Sequence, residues 1–207
     1  ANYDIGQVST FNQLGGTGRL GIGYQNPESA WGTFAIVDLA GINIAGENYT
    51  YASAELHGTW KFETIGSGLL IIDSGLYMKE MPELIGSDIL GVQEVNTAQN
   101  LGPHAGFKYW IPLNDKLGVQ LNARGYYSMM GTAPNGQEIV PTLSYQVGVL
   151  GSLRLRRSLM GYAGYAYRLD RADYIKDTSN PSSVEDGDIN TIEIQGNYLN
   201  LILEYSF

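Results

Sequence analysis

From Tyr198 onward the chain changes character at every residue. Leu199, Leu201, Leu203, Tyr205 and Phe207 make one uniformly apolar face, while Tyr198, Asn200, Ile202, Glu204 and Ser206 make a mixed one. A period of two puts successive side chains on opposite faces of an extended strand. The same alternation recurs upstream. Ala52, Ala54, Leu56, Trp60 and Phe62 alternate with Ser53, Glu55, His57, Thr59 and Lys61. Pro103, Ala105, Phe107, Tyr109 and Ile111 alternate with His104 and Lys108; Leu117, Val119, Leu121 and Ala123 with Lys116, Gln120, Asn122 and Arg124. Leu143, Tyr145, Val147, Val149, Leu153 and Leu155 alternate with Ser144, Gln146, Ser152 and Arg154. Strands of soluble domains usually run about 5–6 residues. Several of these runs are twice as long, the length that a tilted strand needs to cross a bilayer, about 9–11 residues.

Counting back from the C-terminus places strands near 189–207, 158–174, 138–155, 117–130, 101–113, 67–79, 48–62 and 30–44. Residues 17–25 read as a ninth and 2–13 as a tenth. The predicted fold is a single all-β domain over 1–207: a closed antiparallel up-and-down transmembrane β-barrel, with ten strands favoured and eight as the alternative. In the eight-strand version the N-terminal segment, 1–16 included, is a plug or a periplasmic tail. Closure follows from the solvent, because lipid offers no partner to the N–H and C=O groups of an open sheet edge. The connections are asymmetric. Asn114-Asp115 and Arg156-Arg157 are tight turns, 26–29 and 63–66 are nearly as short, and longer polar links lie at 81–100, 131–138 and 176–188. Short turns on one side and longer loops on the other suit a barrel. The aromatics sort in the same way. Trp31, Trp60, Phe62, Tyr109, Trp110, Tyr205 and Phe207 fall near the short turns, and Tyr49, Tyr51, Tyr77, Tyr126, Tyr127, Tyr167 and Tyr174 toward the other end. Two belts at the water–lipid boundaries are expected from that sorting.

Composition removes several classes of function. A net charge of −9 repels nucleic acid. The absence of cysteine excludes disulfide frameworks and thiolate metal sites. A spanning helix needs about 20 mostly apolar residues, and the richest runs, 68–72 and 199–203, are far shorter. The chain begins at Ala1, as an exported protein does once its signal peptide is removed.

The inward-facing charges are the main candidate site. Glu55, Asp73 and Glu204 face Lys61, Lys108, Arg124, Arg154 and Arg168, with His57 and His104 beside them. A barrel of eight to ten strands is nearly filled by its own side chains, and ions buried there must pair. The same residues support a salt-bridged plug or a narrow polar conduit. His57 and His104 are read as satisfied lumenal histidines, and no metal and no cofactor is expected. Ser53, Glu55 and His57 share a face of one strand at about 7 Å spacing, too far apart for direct hydrogen bonds, so no catalytic set is expected. Gly16-Thr17-Gly18-Arg19-Leu20-Gly21 matches a dinucleotide pattern by letter, but a strand follows it where the pattern needs a helix. The loop carboxylates, Glu80, Glu83, Asp88 and Glu94 in one group and Asp177, Glu185, Asp186 and Asp188 in another, read as a solvated face. Divalent cations shared with lipopolysaccharide are the alternative.

The terminal strand, with Phe207, Tyr205, Leu203, Leu201 and Leu199 at alternating positions, resembles that of small bacterial outer-membrane barrels, the broad group of OmpA-, OmpX- and OmpW-type proteins. The resemblance implies a signal read by the barrel-assembly machinery and a place in the bacterial outer membrane among lipid, lipopolysaccharide and other outer-membrane proteins. That group includes enzymes, adhesins, pores and anchors, so fold alone does not select a function. The expectation is a non-enzymatic structural or accessory barrel, with a subunit role in a larger membrane assembly as one form of it. The alternatives are a narrow porin-like channel and a lipid-modifying enzyme.

Overall fold

The computed structural model describes residues 15–44, 47–64, 68–86, 93–132, 138–175 and 189–206. Among them there is no helix. The strands are β1 (Gly16–Gln25), β2 (Trp31–Ile44), β3 (Glu47–Glu63), β4 (Leu69–Gly86), β5 (Gln93–Pro112), β6 (Leu117–Ser128), β7 (Met130–Thr132), β8 (Ile139–Val140), β9 (Thr142–Arg156), β10 (Leu159–Ile175) and β11 (Ile189–Tyr205). They form one antiparallel up-and-down sheet in the order β1-β2-β3-β4-β5-β6-β9-β10-β11, curled into a half-barrel. β7 continues β6 against β5, and β8 precedes β9 against β10. The break between β8 and β9 falls at Pro141, which has no N–H to give to a ladder. The break after β6 is a bulge: His104 faces Tyr126, but Leu101 faces Met130, one residue out of step.

The described sheet therefore has nine long strands. Residues 17–25 belong to it as β1, paired with β2 from Gly16↔Gly41 to Gln25↔Gly32, so a count of eight does not fit. The segment 2–13, the link 176–188 and Phe207 lie outside the described residues. The expected link at 81–100 is corrected: β4 and β5 stay paired from Leu69↔Trp110 to Gly86↔Gln93. Alternation hid this hairpin, because Pro82 and a run of mixed polarity blur the period there. Consequently Glu80, Glu83 and Glu94 stand on strands and not in a loop, while Asp88, Asp177, Glu185, Asp186 and Asp188 fall outside the description.

The polarity of the sheet is inverted over most of its height. The convex face carries Leu20, Ile22, Val37, Leu39, Leu56, Ile72, Leu76, Leu101, Phe107, Leu121, Val147, Leu153 and Leu201, all exposed. The concave face buries Asp38, Ser53, Glu55, His57, Asp73, Lys79, His104, Arg168 and Asp170. Toward the end away from the short turns the pattern reverses. There Met81, Ala98, Ala172 and Tyr174 form a buried apolar cluster inside, while Thr191, Glu193 and Gln195 are exposed outside. The aromatic sorting is corrected in part. Tyr24, Trp31, Trp60, Phe62 and Tyr205 are exposed near the short-turn end, but Tyr77, Tyr126 and Tyr174 point inward and are buried. Tyr51 also turns inward, its hydroxyl donating to Asp170. These rings reach the interior because the concave face has polar partners for their hydroxyl groups.

Candidate functional site

Register explains how the buried polar groups meet. One row across the sheet reads Phe34, His57, Gly75, His104, Tyr126 and Ser144. Gly75 has no side chain, so the two imidazoles flanking it converge, with ring centroids 4.3 Å apart. Phe34 stacks on the other face of His57 at 4.0 Å. An adjacent row reads Thr59, Asp73, Gly106, Arg124, Gln146 and Arg168. Gly106 again leaves a gap, and Arg124 reaches across it to Asp73 Oδ1 at 3.0 Å.

The central cluster is built around two carboxylates. Arg124 Nη1 donates to Glu55 Oε2 at 2.9 Å, and the Tyr126 hydroxyl donates to Glu55 Oε1 at 3.0 Å. His57 Nδ1 lies 3.2 Å from Asp73 Oδ1 in hydrogen-bond geometry. Its Nε2 lies 3.0 Å from Glu55 Oε2 but makes no hydrogen bond. His104 Nε2 is 3.3 Å from the Leu56 carbonyl oxygen, and its Nδ1 has no hydrogen-bond partner. His57 and Asp73 are 1% exposed, His104 3% and Glu55 4%, so bulk solvent does not reach them.

A second cluster links distant strands across the concavity. Asp170 on β10 is paired with Lys79 on β4 and, at 3.0 Å, with Arg168. Tyr51 on β3 donates to the same carboxylate. Arg168 stands 5.3 Å from the centre of the Tyr126 ring, which ties the two clusters together. Nearer the sheet edge, Arg19 binds Asp38 through two nitrogens, at 2.5 and 2.9 Å.

The structure thus brings Glu55, His57, Asp73, His104, Arg124 and Arg168 into contiguous networks. Lys108 also points inward, its ammonium 4.7 Å from the Phe34 ring centre. Glu204 is exposed and accepts from Tyr162 at 3.0 Å. Lys61 and Arg154 make no side-chain ion pair among the described residues, and Arg154 is exposed. Leu199, Leu201, Leu203 and Tyr205 line the convex face of β11, 59–89% exposed. Asp38, Lys79 and Asp170 are charged members that the sequence reading passed over. Their position on the inward parity was a usable signal. Ser53 donates to Asp38 at 3.2 Å, so its hydroxyl is turned to Asp38 while His57 faces Glu55 and Asp73. Comparison with known protein families, characterised proteins and solved structures returns no match.

Proposed function

We propose that this chain is an integral protein of a bacterial outer membrane, a closed ten-stranded barrel with a sealed interior that serves a structural or accessory role. The observation that carries the reading is the inverted polarity: leucines outside and paired ions inside on the same strands. Water gives no reason to expose so much contiguous apolar surface, whereas hydrocarbon does. Closure has its own support. Nine strands of alternating direction begin and end running the same way, so β1 and β11 would meet in parallel. One more strand makes the seam antiparallel, and in this reading residues 2–13, which precede β1 in the sequence, supply it. The residues of β1 are exposed on both faces, Gln25 excepted, as expected of a strand that lacks a neighbour.

The sealed interior rests on the cross-concavity contacts from β10 to β3, β4 and β6. Buried charges held this way stiffen the wall and occupy the space that a conduit needs. On this reading the surrounding lipid and lipopolysaccharide are partners, the assembly machinery acts during biogenesis, and other outer-membrane proteins can pack on the convex face. Planar-bilayer recording on the refolded protein is the test. The expected result is a baseline with no reproducible steps. Steps that shrink on charge reversal at Arg124 would replace the sealed reading with a narrow channel.

A further inference from the structure

Two buried imidazole nitrogens in the central cluster, His57 Nε2 and His104 Nδ1, make no hydrogen bond among the described residues, and both are accounted for by one ligand. A carbonyl oxygen only accepts, so His104 Nε2 carries its proton toward Leu56, and the lone pair of Nδ1 is left facing the cluster, 3.8 Å from Asp73 Oδ1 and without a hydrogen bond among the described residues. His57 stands between two acceptors, Asp73 Oδ1 at 3.2 Å and Glu55 Oε2 at 3.0 Å. A neutral ring with its proton on Nδ1 satisfies Asp73 and sets the Nε2 lone pair against a carboxylate oxygen. That contact is repulsive unless a cation lies between the two atoms. A second proton on His57 would relieve it but would do nothing for His104.

We propose that Glu55, His57 and His104 form a binding site for one divalent transition-metal ion of the zinc class. One ligand atom from each lies within 4.8 Å of the others. Tetrahedral zinc with bonds of about 2.1 Å separates its ligands by about 3.4 Å, so a modest inward turn of the side chains completes the set. Two nitrogens and one oxygen suit zinc and its neighbours in the first row, and they leave a fourth position open. The surroundings match what ligands of this kind need. A metal-binding histidine usually donates its other N–H to a carboxylate or a backbone carbonyl, and a binding carboxylate is itself hydrogen-bonded. Asp73 takes that place for His57 and the Leu56 carbonyl for His104, while Arg124 and Tyr126 hold Glu55.

The test is metal retention by the full-length protein, refolded in detergent with Co²⁺ or Zn²⁺ and passed over a desalting column. Elemental analysis should find about one ion per folded chain, and Co²⁺ should give the visible absorption of a low-coordinate site. His104→Ala should abolish both signals while circular dichroism stays that of a folded sheet. If His104→Ala fails to fold, Asp73→Asn serves instead and should weaken retention about 10–100-fold, as loss of an orienting partner does. Wild-type protein that keeps no metal overturns the proposal, and so does equal retention by folded His104→Ala. The site depends on the curl of the sheet, so its failure would leave the membrane reading intact.

Discussion

At Gly75 an added Cβ would stand 1.8 Å from the Leu56 carbonyl oxygen and 3.0 Å from His104 Nε2. Backbone cannot yield as a side-chain tip can, so Gly75→Ala should prevent the strand pair from closing. Heat-modifiable migration on gels, the usual sign of a folded barrel, should be lost in this variant. Charge gives a graded counterpart. Arg124 holds two buried carboxylates, and its removal leaves them uncompensated at a cost of about 3–5 kcal/mol. Arg154 is exposed and makes no ion pair among the described residues, so Arg154→Ala should change stability by less than about 0.5 kcal/mol. Urea unfolding of Arg124→Ala and Arg154→Ala in the same lipid vesicles checks the contrast. The charges on inward parity were legible from alternation alone. Which of them meet was not, because Tyr51 and Asp170 lie 119 residues apart and approach only when the sheet curls. The convergence of His57 and His104 was hidden likewise, since it depends on a glycine standing opposite both.

At the level of single strands, apolar alternation located every long element of the sheet and failed where polarity stops alternating. The upper parts of β4 and β5 are paired by backbone through a stretch whose side-chain pattern carries no period of two. There the strands have left the apolar band, and the convex face no longer needs to be greasy. β11 records the same transition within one element: Leu199, Leu201 and Leu203 are 73–89% exposed, while Gln195 and Glu193 above them are polar. A charge placed on the two parts should therefore behave differently. Leu201→Arg should cost about 2–4 kcal/mol and Gln195→Arg about 0–1 kcal/mol, the dependence on depth known for lipid-facing strands. Equilibrium unfolding in vesicles measures both, and equal costs would argue against a bilayer on that face.

For the molecule as a whole, shape turns on the seam between β1 and β11, each with one edge unpaired among the described residues. The chain has no cysteine, so engineered pairs report cleanly. Directly opposed residues in antiparallel strands stand about 4.5–5.5 Å apart at Cα, within the reach of a disulfide. Single cysteines scanned through 2–13 should oxidise with a cysteine at Leu199 or Leu201 on β11. Efficient cross-linking of β11 directly to β1, with none to 2–13, would return the count to nine. Fold class was legible because alternation is a local property of sequence. Closure is a relation between chain ends, and no local pattern encodes it.

The height at which apolar surface changes sides has a further meaning. Below it the leucines face outward; above it Met81, Ala98, Ala172 and Tyr174 turn inward and the exterior becomes polar. Glu193, Gln195 and the half-exposed Arg171 stand at the upper rim of the apolar band. A thicker bilayer would have to pinch around the wall or draw those groups into oil, at a cost that grows with each ångström. If the proposed membrane setting holds, the exterior is a gauge: its apolar height sets the hydrocarbon thickness that the wall fits without strain.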